Sequence, residues 1–294
     1  MTEFIQFLIS GLMIGSVYGL VAVGFCMVYN TTEVINFAQG EFVMLGGMIA
    51  ATAFGEFGWP LPLAVMIGVL ATTLVGLVVE KLTFGLSRKP QVLNLTIITI
   101  GLAIAIKGVV MMVWGKFPRD LPTFSGEISL NIFGASLAPQ AIWIVGTSLL
   151  VMLAMRLFME KTVMGTAMRA AAADKGAAAL MGIPVRRLST ISFGMAAAIG
   201  AVAGVIITPL TLTSYDHGTL LGLKGFCAAI IGGMGNIYGG FLGGLILGIL
   251  ETFTAGWGGS GYQDAVAFLI LIILLLFRPS GLLRGTGRER IVKL

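Results

Sequence analysis

Three polar side chains crowd the start of one apolar run: Asn36, Gln39 and Glu41, within Ile35-Asn36-Phe37-Ala38-Gln39-Gly40-Glu41. An ionisable group inside a bilayer is expensive, so it normally faces a cavity or a partner. On a helix Asn36 and Gln39 are i,i+3 neighbours on one face, while Glu41 points elsewhere. One reading is a polar seam beside a translocation path, able to hydrogen-bond a polar solute. The other is an interfacial helix start, with Asn36 as the cap and Glu41 favouring the positive dipole end. Deep in a later apolar run stands Glu251, a lone carboxylate expected to contact a lysine, backbone or water. Lys107 and Lys224 are the lysines within apolar runs, and Lys224 and Glu251 join the candidate path. Lys107 lies near the end of its run and could simply snorkel.

Other chemistry finds no foothold. His217 is the sole histidine, beside Asp216 in SYDHGT, and one histidine builds neither a metal site nor a triad. Cys26 and Cys227 both sit in apolar runs and read as small buried hydrophobes, with no disulfide framework or metal spacing. No GxxxxGK[ST] phosphate loop occurs, and the glycine-rich stretch 232–240 does not follow the GxGxxG spacing. No metal or cofactor is expected, and no ATP hydrolysis by the chain itself.

The elements holding these residues follow from composition. The 294 residues are 57% apolar and 11% charged, against about a quarter charged in soluble domains. Mean hydropathy is +1.00, which marks a polytopic membrane protein. Backbone in lipid must be helical or form a closed barrel, and long continuous apolar runs select helices. Nine runs qualify, at roughly 5–29, 35–54, 61–80, 93–114, 141–159, 189–208, 219–236, 238–256 and 262–277. The expected fold is therefore all-α, with eight to nine transmembrane helices in a single domain over 1–294. The seventh run holds Lys224 and five glycines and reads as broken or re-entrant; the ninth is short. The opening MTEF lacks the basic residues of a secretory signal, so the first run is expected to stay as a span.

Lys and Arg fix the expected orientation. Fourteen of the eighteen fall in three groups: Lys81, Arg88 and Lys89; Arg156, Lys161, Arg169, Lys175, Arg186 and Arg187; and Arg278, Arg284, Arg288, Arg290 and Lys293. An outside N-terminus, a cytoplasmic C-terminus and an odd number of crossings place all three groups in the cytoplasm. Trp59, Trp114, Trp143 and Trp257 then all map to the outer interface, as interfacial tryptophan should. The net charge of +5 flanks spans rather than forming one patch, which disfavours nucleic acid. The outer loop at about 115–140 reads as a connector.

Much of the glycine, 42 residues in all, is spaced by four. Gly11, Gly15 and Gly19 form one such face, Gly200 and Gly204 another, and Gly235, Gly239, Gly243 and Gly240, Gly244, Gly248 two more. Small-xxx-small faces let helix backbones approach closely in lipid. The remaining polar stretch, 160–188, reads EKTVMGTAMRAAAADKGAAALMGIPVRRL. Its Ala-rich middle, Met164 to Leu180, predicts a short charged helix that Gly182 and Pro184 stop. Such a helix held between two spans suits docking another protein.

Four stretches carry a resemblance over nearly the whole chain: residues 19–42, 165–183, 223–251 and 274–283, in the family's order. The chain resembles the LivH-type permease subunit of branched-chain amino acid ABC importers, in the hydrophobic amino acid uptake family. The resemblance implies that the 160–188 loop is cytoplasmic and docks an ATPase through Arg169, Ala170, Ala171, Ala172, Asp174, Lys175, Gly176 and Gly182. The general ABC-importer loop begins Glu-Ala-Ala; the Glu is missing here, so the match is to this family's own form. It also implies a homologous second permease, two ABC ATPase subunits that bind the ATP, a periplasmic substrate-binding protein, and a multi-pass location in the bacterial cytoplasmic (inner) membrane. Urea and short-chain amide importers have related permeases. A stand-alone secondary carrier would also suit a Gly-broken segment near Lys224.

Overall fold

In the computed structural model, residues 2–86, 91–126, 130–132 and 135–283 are described. Arg88, Lys89, Arg284, Arg288, Arg290 and Lys293, named above for their charge, lie outside the described residues. In chain order the elements are α1 (Thr2–Thr32), α2 (Gln39–Gly55), α3 (Leu61–Leu86), α4 (Val92–Trp114), β1 (Leu130–Ile132), β2 (Ala135–Leu137), α5 (Pro139–Lys161), α6 (Val163–Ala173), α7 (Lys175–Leu180), α8 (Val185–Thr211), α9 (His217–Gly232), α10 (Ile237–Gly258) and α11 (Gln263–Phe277). Among the described residues, α1, α3, α4, α5, α8 and α10 are long and apolar enough to cross a membrane. The other three expected spans are the shorter helices α2, α9 and α11, of 17, 16 and 15 residues.

α1 is the axis of the body, buried along almost its entire second half. Its glycine face meets that of α10. A methyl group added at Gly11 would stand 2.7 Å from Ile249 Cα, and one at Gly15 2.8 Å from the Gly244 carbonyl. Gly244 and Gly248 press back on Gly19 and Gly15. The other series, Gly239 and Gly243, packs on Gly232 of α9, and Gly204 packs on Val43 of α2. The outer sides of α3, α4 and α11 present Leu70, Leu74, Ile104 and Leu276, each more than half exposed. Apolar exposure on that scale marks a surface meant for lipid or partner helices.

Two ends are distinct. At one, the hairpin β1–β2, with Leu130 opposite Leu137, is tied to α1 by Gln6, which donates to the Ser136 carbonyl (3.1 Å) and accepts from its N–H (2.9 Å). Arg119 pairs there with Glu56 at 2.7 Å and with the Thr213 backbone at 2.8 and 2.9 Å. All four tryptophans lie at or next to helix termini of this end. Within the expected connector, the described residues thus include a short hairpin bonded to α1. At the other end, the C-termini of α1 and α5 meet α6 and the start of α10 around a 360 Å³ pocket. The chain between α8 and α10 runs from one end to the other. Thr213 is bonded at the hairpin end, while Gly235 lies against Asn30 at the α6 end. Only 16 residues of this passage are helical, about 24 Å against a hydrocarbon core of about 30 Å. α9 itself is unbroken, and the shortfall is made up by the non-helical residues 212–216, which end in a turn at Tyr215–Asp216.

The tail after α11 returns to complete α9. Leu282 and Leu283 N–H donate to the Ile231 and Gly232 carbonyls, at 2.8 and 3.1 Å. Carbonyls that a helix C-terminus leaves unsatisfied are thereby paired.

The Ala-rich loop departs from expectation. It is two helices, not one, because Asp174 is extended (φ −156°, ψ 110°) and caps α7 by accepting from Ala177 N–H at 2.9 Å. Aspartate competes for backbone donors and prefers caps to helix interiors. Alanine propensity ran through that position; the cap overrode it. Thr162 caps α6 likewise, accepting from Gly165 N–H at 3.0 Å. Gly182 ends the pair in the left-handed region, φ +82°.

Candidate functional site

α2 does not start at an interface. After α1 ends at Thr32, residues 33–38 run back into the body without helical structure. Gln39 then packs on Gly24, eight residues and about 12 Å short of the α1 terminus. Irregular backbone at membrane depth survives only where protein satisfies its polar groups. Here Thr99 Oγ1 accepts from Phe37 N–H at 3.2 Å, and its one proton lies between the Thr96 carbonyl at 2.7 Å and the Ile35 carbonyl at 3.2 Å. Asn36 Oδ1 accepts from Ala38 N–H at 3.1 Å, and Thr32 Oγ1 from Val34 N–H at 3.1 Å. Asn36, Gln39 and Glu41 are all buried in the body. Asn36 stabilises a turn, not a surface cap.

The seam is buried, and only part of its hydrogen-bonding capacity is met by protein groups. Asn36 and Gln39 are 0% exposed and Glu41 3%. Gln39 Nε2 donates to the Ala196 carbonyl of α8 at 3.0 Å, and Glu41 Oε1 accepts from Thr219 of α9 at 3.3 Å. Asn36 Nδ2, Gln39 Oε1 and Glu41 Oε2 have no protein partner. Beside them the first turns of α2 and α9 touch through backbone: methyl groups added at Gly218 and Gly222 would stand 2.7 Å from Gly40 O and 3.0 Å from Gly40 Cα. Two helix starts meeting inside a membrane body is the arrangement of discontinuous transporter helices.

Lys224 and Glu251 form a second group. Lys224 Nζ bonds Glu251 Oε1, pairs with Asp264 Oδ1 at 2.7 Å, and lies 5.5 Å from the Tyr18 ring centre. Glu251 is 1% exposed. Lys107 is not its partner: Lys107 Nζ donates to Thr219 Oγ1 at 3.4 Å and faces the Tyr215 ring at 5.6 Å. Sequence reasoning missed Asp264, Thr219, Thr99 and Tyr18. Asp264, the lone acidic residue opening the ninth apolar run, was a signal for the first; ordinary threonines and a tyrosine inside helices gave none. His217 is half-buried as the first residue of α9.

At the α6 end, Arg169, Ala170, Asp174, Gly176 and Gly182 are exposed, Ala172 and Lys175 partly so, and Ala171 is buried against the body. Met168, Ala171 and Gly165 are the buried side of α6. Lys175 reaches Glu33 at 3.6 Å, joining the start of α7 to the end of α1. Val163 and Leu180 are each 90% exposed and Met181 83%. Such apolar tips among charges form a surface suited to a protein partner.

Comparison with known proteins fits this geometry. The family model described as "Branched-chain amino acid transport system / permease component" matches residues 7–275. The high-affinity branched-chain amino acid transport system permease protein BraD of Pseudomonas aeruginosa is 35% identical, over 99% of this chain and 98% of its own. The corresponding protein LivH of Escherichia coli is 34% identical, over 99% and 97%. Among solved structures, a chain of PsaBC from Streptococcus pneumoniae, in complex with Fab, superposes with a TM-score of 0.52 at 14% identity, covering 95% of this chain and 96% of that one. That likeness concerns the fold alone.

Proposed function

This chain belongs to the permease-component family of branched-chain amino acid transport systems, and from that premise we propose the following assembly and cycle. The chain is the membrane-spanning subunit of an ATP-driven importer for branched-chain or related hydrophobic amino acids, and it pairs with a homologous second permease. Its N-terminus and the tryptophan-rich hairpin end face the periplasm. Nine passes, including those through the short helices α2 and α9, bring the C-terminus to the cytoplasm. The membrane is the bacterial cytoplasmic one. A periplasmic binding protein delivers cargo to the hairpin end, and Asn36, Gln39 and Glu41 line the path.

Two ABC ATPase subunits dock on α6 and α7. Motion there reaches the body by three routes: the Met168–Ala171 face of α6, the Lys175–Glu33 contact, and Pro184 leading into α8. ATP can shift the permease only by binding one arrangement of the assembly better than the other. Smooth glycine seams around α1 and α10 would let helices slide between such arrangements without side chains interlocking.

The observation that carries this reading is a 35% identity to a branched-chain amino acid permease in an alignment covering 99% of the chain. Purifying a tagged copy from its native membrane in mild detergent tests the assembly. Two ATPase copies and a second permease should come with it; a stable complex with no ATPase would reject the reading.

A further inference from the structure

Between α2, α4 and α9 lies a pocket of about 310 Å³, within the range of small-molecule sites, roughly 300–1,000 Å³. Its two charged groups are opposite in sign. Glu41 uses only Oε1, on the Thr219 hydroxyl at 3.3 Å, and its buried Oε2 is unpartnered. Lys107 Nζ reaches the same hydroxyl at 3.4 Å. Among the described residues no ion pair joins Lys107 to Glu41. An ammonium has three donors and a carboxylate room for several, so both retain capacity. The lining is otherwise apolar or glycine: Phe37, Ile100, Ala103, Ile104 and Leu223 on the walls, Gly218 and Gly222 on the floor. Gly218 leaves the space over which Glu41 hangs, since a methyl group there would stand 2.9 Å from Oε2.

A ligand of one sign would leave the opposite charge unmatched in an apolar surround, where that is costly. A ligand with both charges close together and an aliphatic remainder satisfies all three features. We propose that this pocket binds the zwitterionic form of an aliphatic amino acid, Glu41 Oε2 accepting from the α-ammonium, Lys107 Nζ donating to the α-carboxylate, and Phe37, Ile100 and Ile104 receiving the side chain. The choice of cargo rests on the importer reading; the charge pattern does not.

The test uses the assembled complex in nanodiscs, carrying Leu223→Cys at the pocket wall with Cys26→Ala and Cys227→Ala. Labelling by a small thiosulfonate is timed with leucine, with isocaproate (no ammonium) and with leucinamide (no carboxylate). At about ten times its dissociation constant, leucine should slow labelling about tenfold, because only the unoccupied fraction reacts. The two analogues should leave it near the free rate, and Glu41→Gln or Lys107→Met should abolish the leucine effect. Equal protection by isocaproate, or full leucine protection in both variants, overturns the proposal. ATP-driven leucine uptake is measured on the same complex. Uptake without protection rejects the pocket alone; protection without uptake supports the pocket and rejects the importer reading.

Discussion

Lys224 answers to two carboxylates of unequal burial: Glu251, 1% exposed, and Asp264, whose side chain is 60% exposed. Removing one partner of a buried pair leaves a charge without compensation, at a cost of about 3–5 kcal/mol, whereas replacing both by apolar groups is often neutral. Lys224→Met strands Glu251 and should lower thermal stability on that scale. Glu251→Gln still leaves Lys224 its pair with Asp264 and should cost less. Lys224→Met combined with Glu251→Met should recover most of the loss. Melting curves of the three purified variants check this order; Glu251→Gln costing more than Lys224→Met would contradict it. The sequence narrowed the partners of Glu251 to two lysines but could not choose, because both stand in spans and spacing along one helix says nothing about rotation against another. Asn36, Gln39 and Glu41 were legible as unusual, since polar groups entering an apolar run must be satisfied somewhere. Their depth was not, because it depends on Thr99 holding the irregular backbone from a distant helix.

The seam between α1 and α10 was readable as two glycine series before it was seen as one interface. At Gly11, Gly15, Gly244 and Gly248 its contacts are backbone on backbone, so no side chain there can move aside to admit a larger residue. Overpacking typically costs about 1–3 kcal/mol, more where nothing yields. Gly15→Val and Gly248→Val should therefore lose most folded protein by size-exclusion yield, whereas Gly101→Val, with nothing within 4 Å of an added methyl, should stay near wild type. The break between α6 and α7 was not readable from helix propensity, which favours alanine on both sides of Asp174. Asp174→Ala removes the α7 cap, worth about 1 kcal/mol. It should speed hydrogen exchange at Lys175–Leu180 and weaken ATPase retention, and Asp174→Asn should restore both. Unchanged exchange would mean that contacts with α8, not the cap, hold α7.

Composition alone announced the lipid environment, and continuous apolar runs announced helices. What composition hid is that α2 and α9 are short helices whose first turns meet inside the body, each preceded by non-helical chain. Run length reports how much chain is apolar, not how much of it is coiled. The sided arrangement still makes a firm prediction. A cysteine replacing Lys175, with Cys26 and Cys227 changed to alanine, should label from the cytoplasmic side only, and one replacing Lys116 from the periplasmic side only; reversed labelling would invert the assembly. The central claim is that this chain moves solute only when worked from the α6–α7 end by an ATP-burning partner. It is tested most directly by radiolabelled leucine uptake in vesicles. With second permease, ATPases and binding protein present, accumulation should follow ATP, and with this chain alone under an ion gradient there should be none. Accumulation by the chain alone would contradict it.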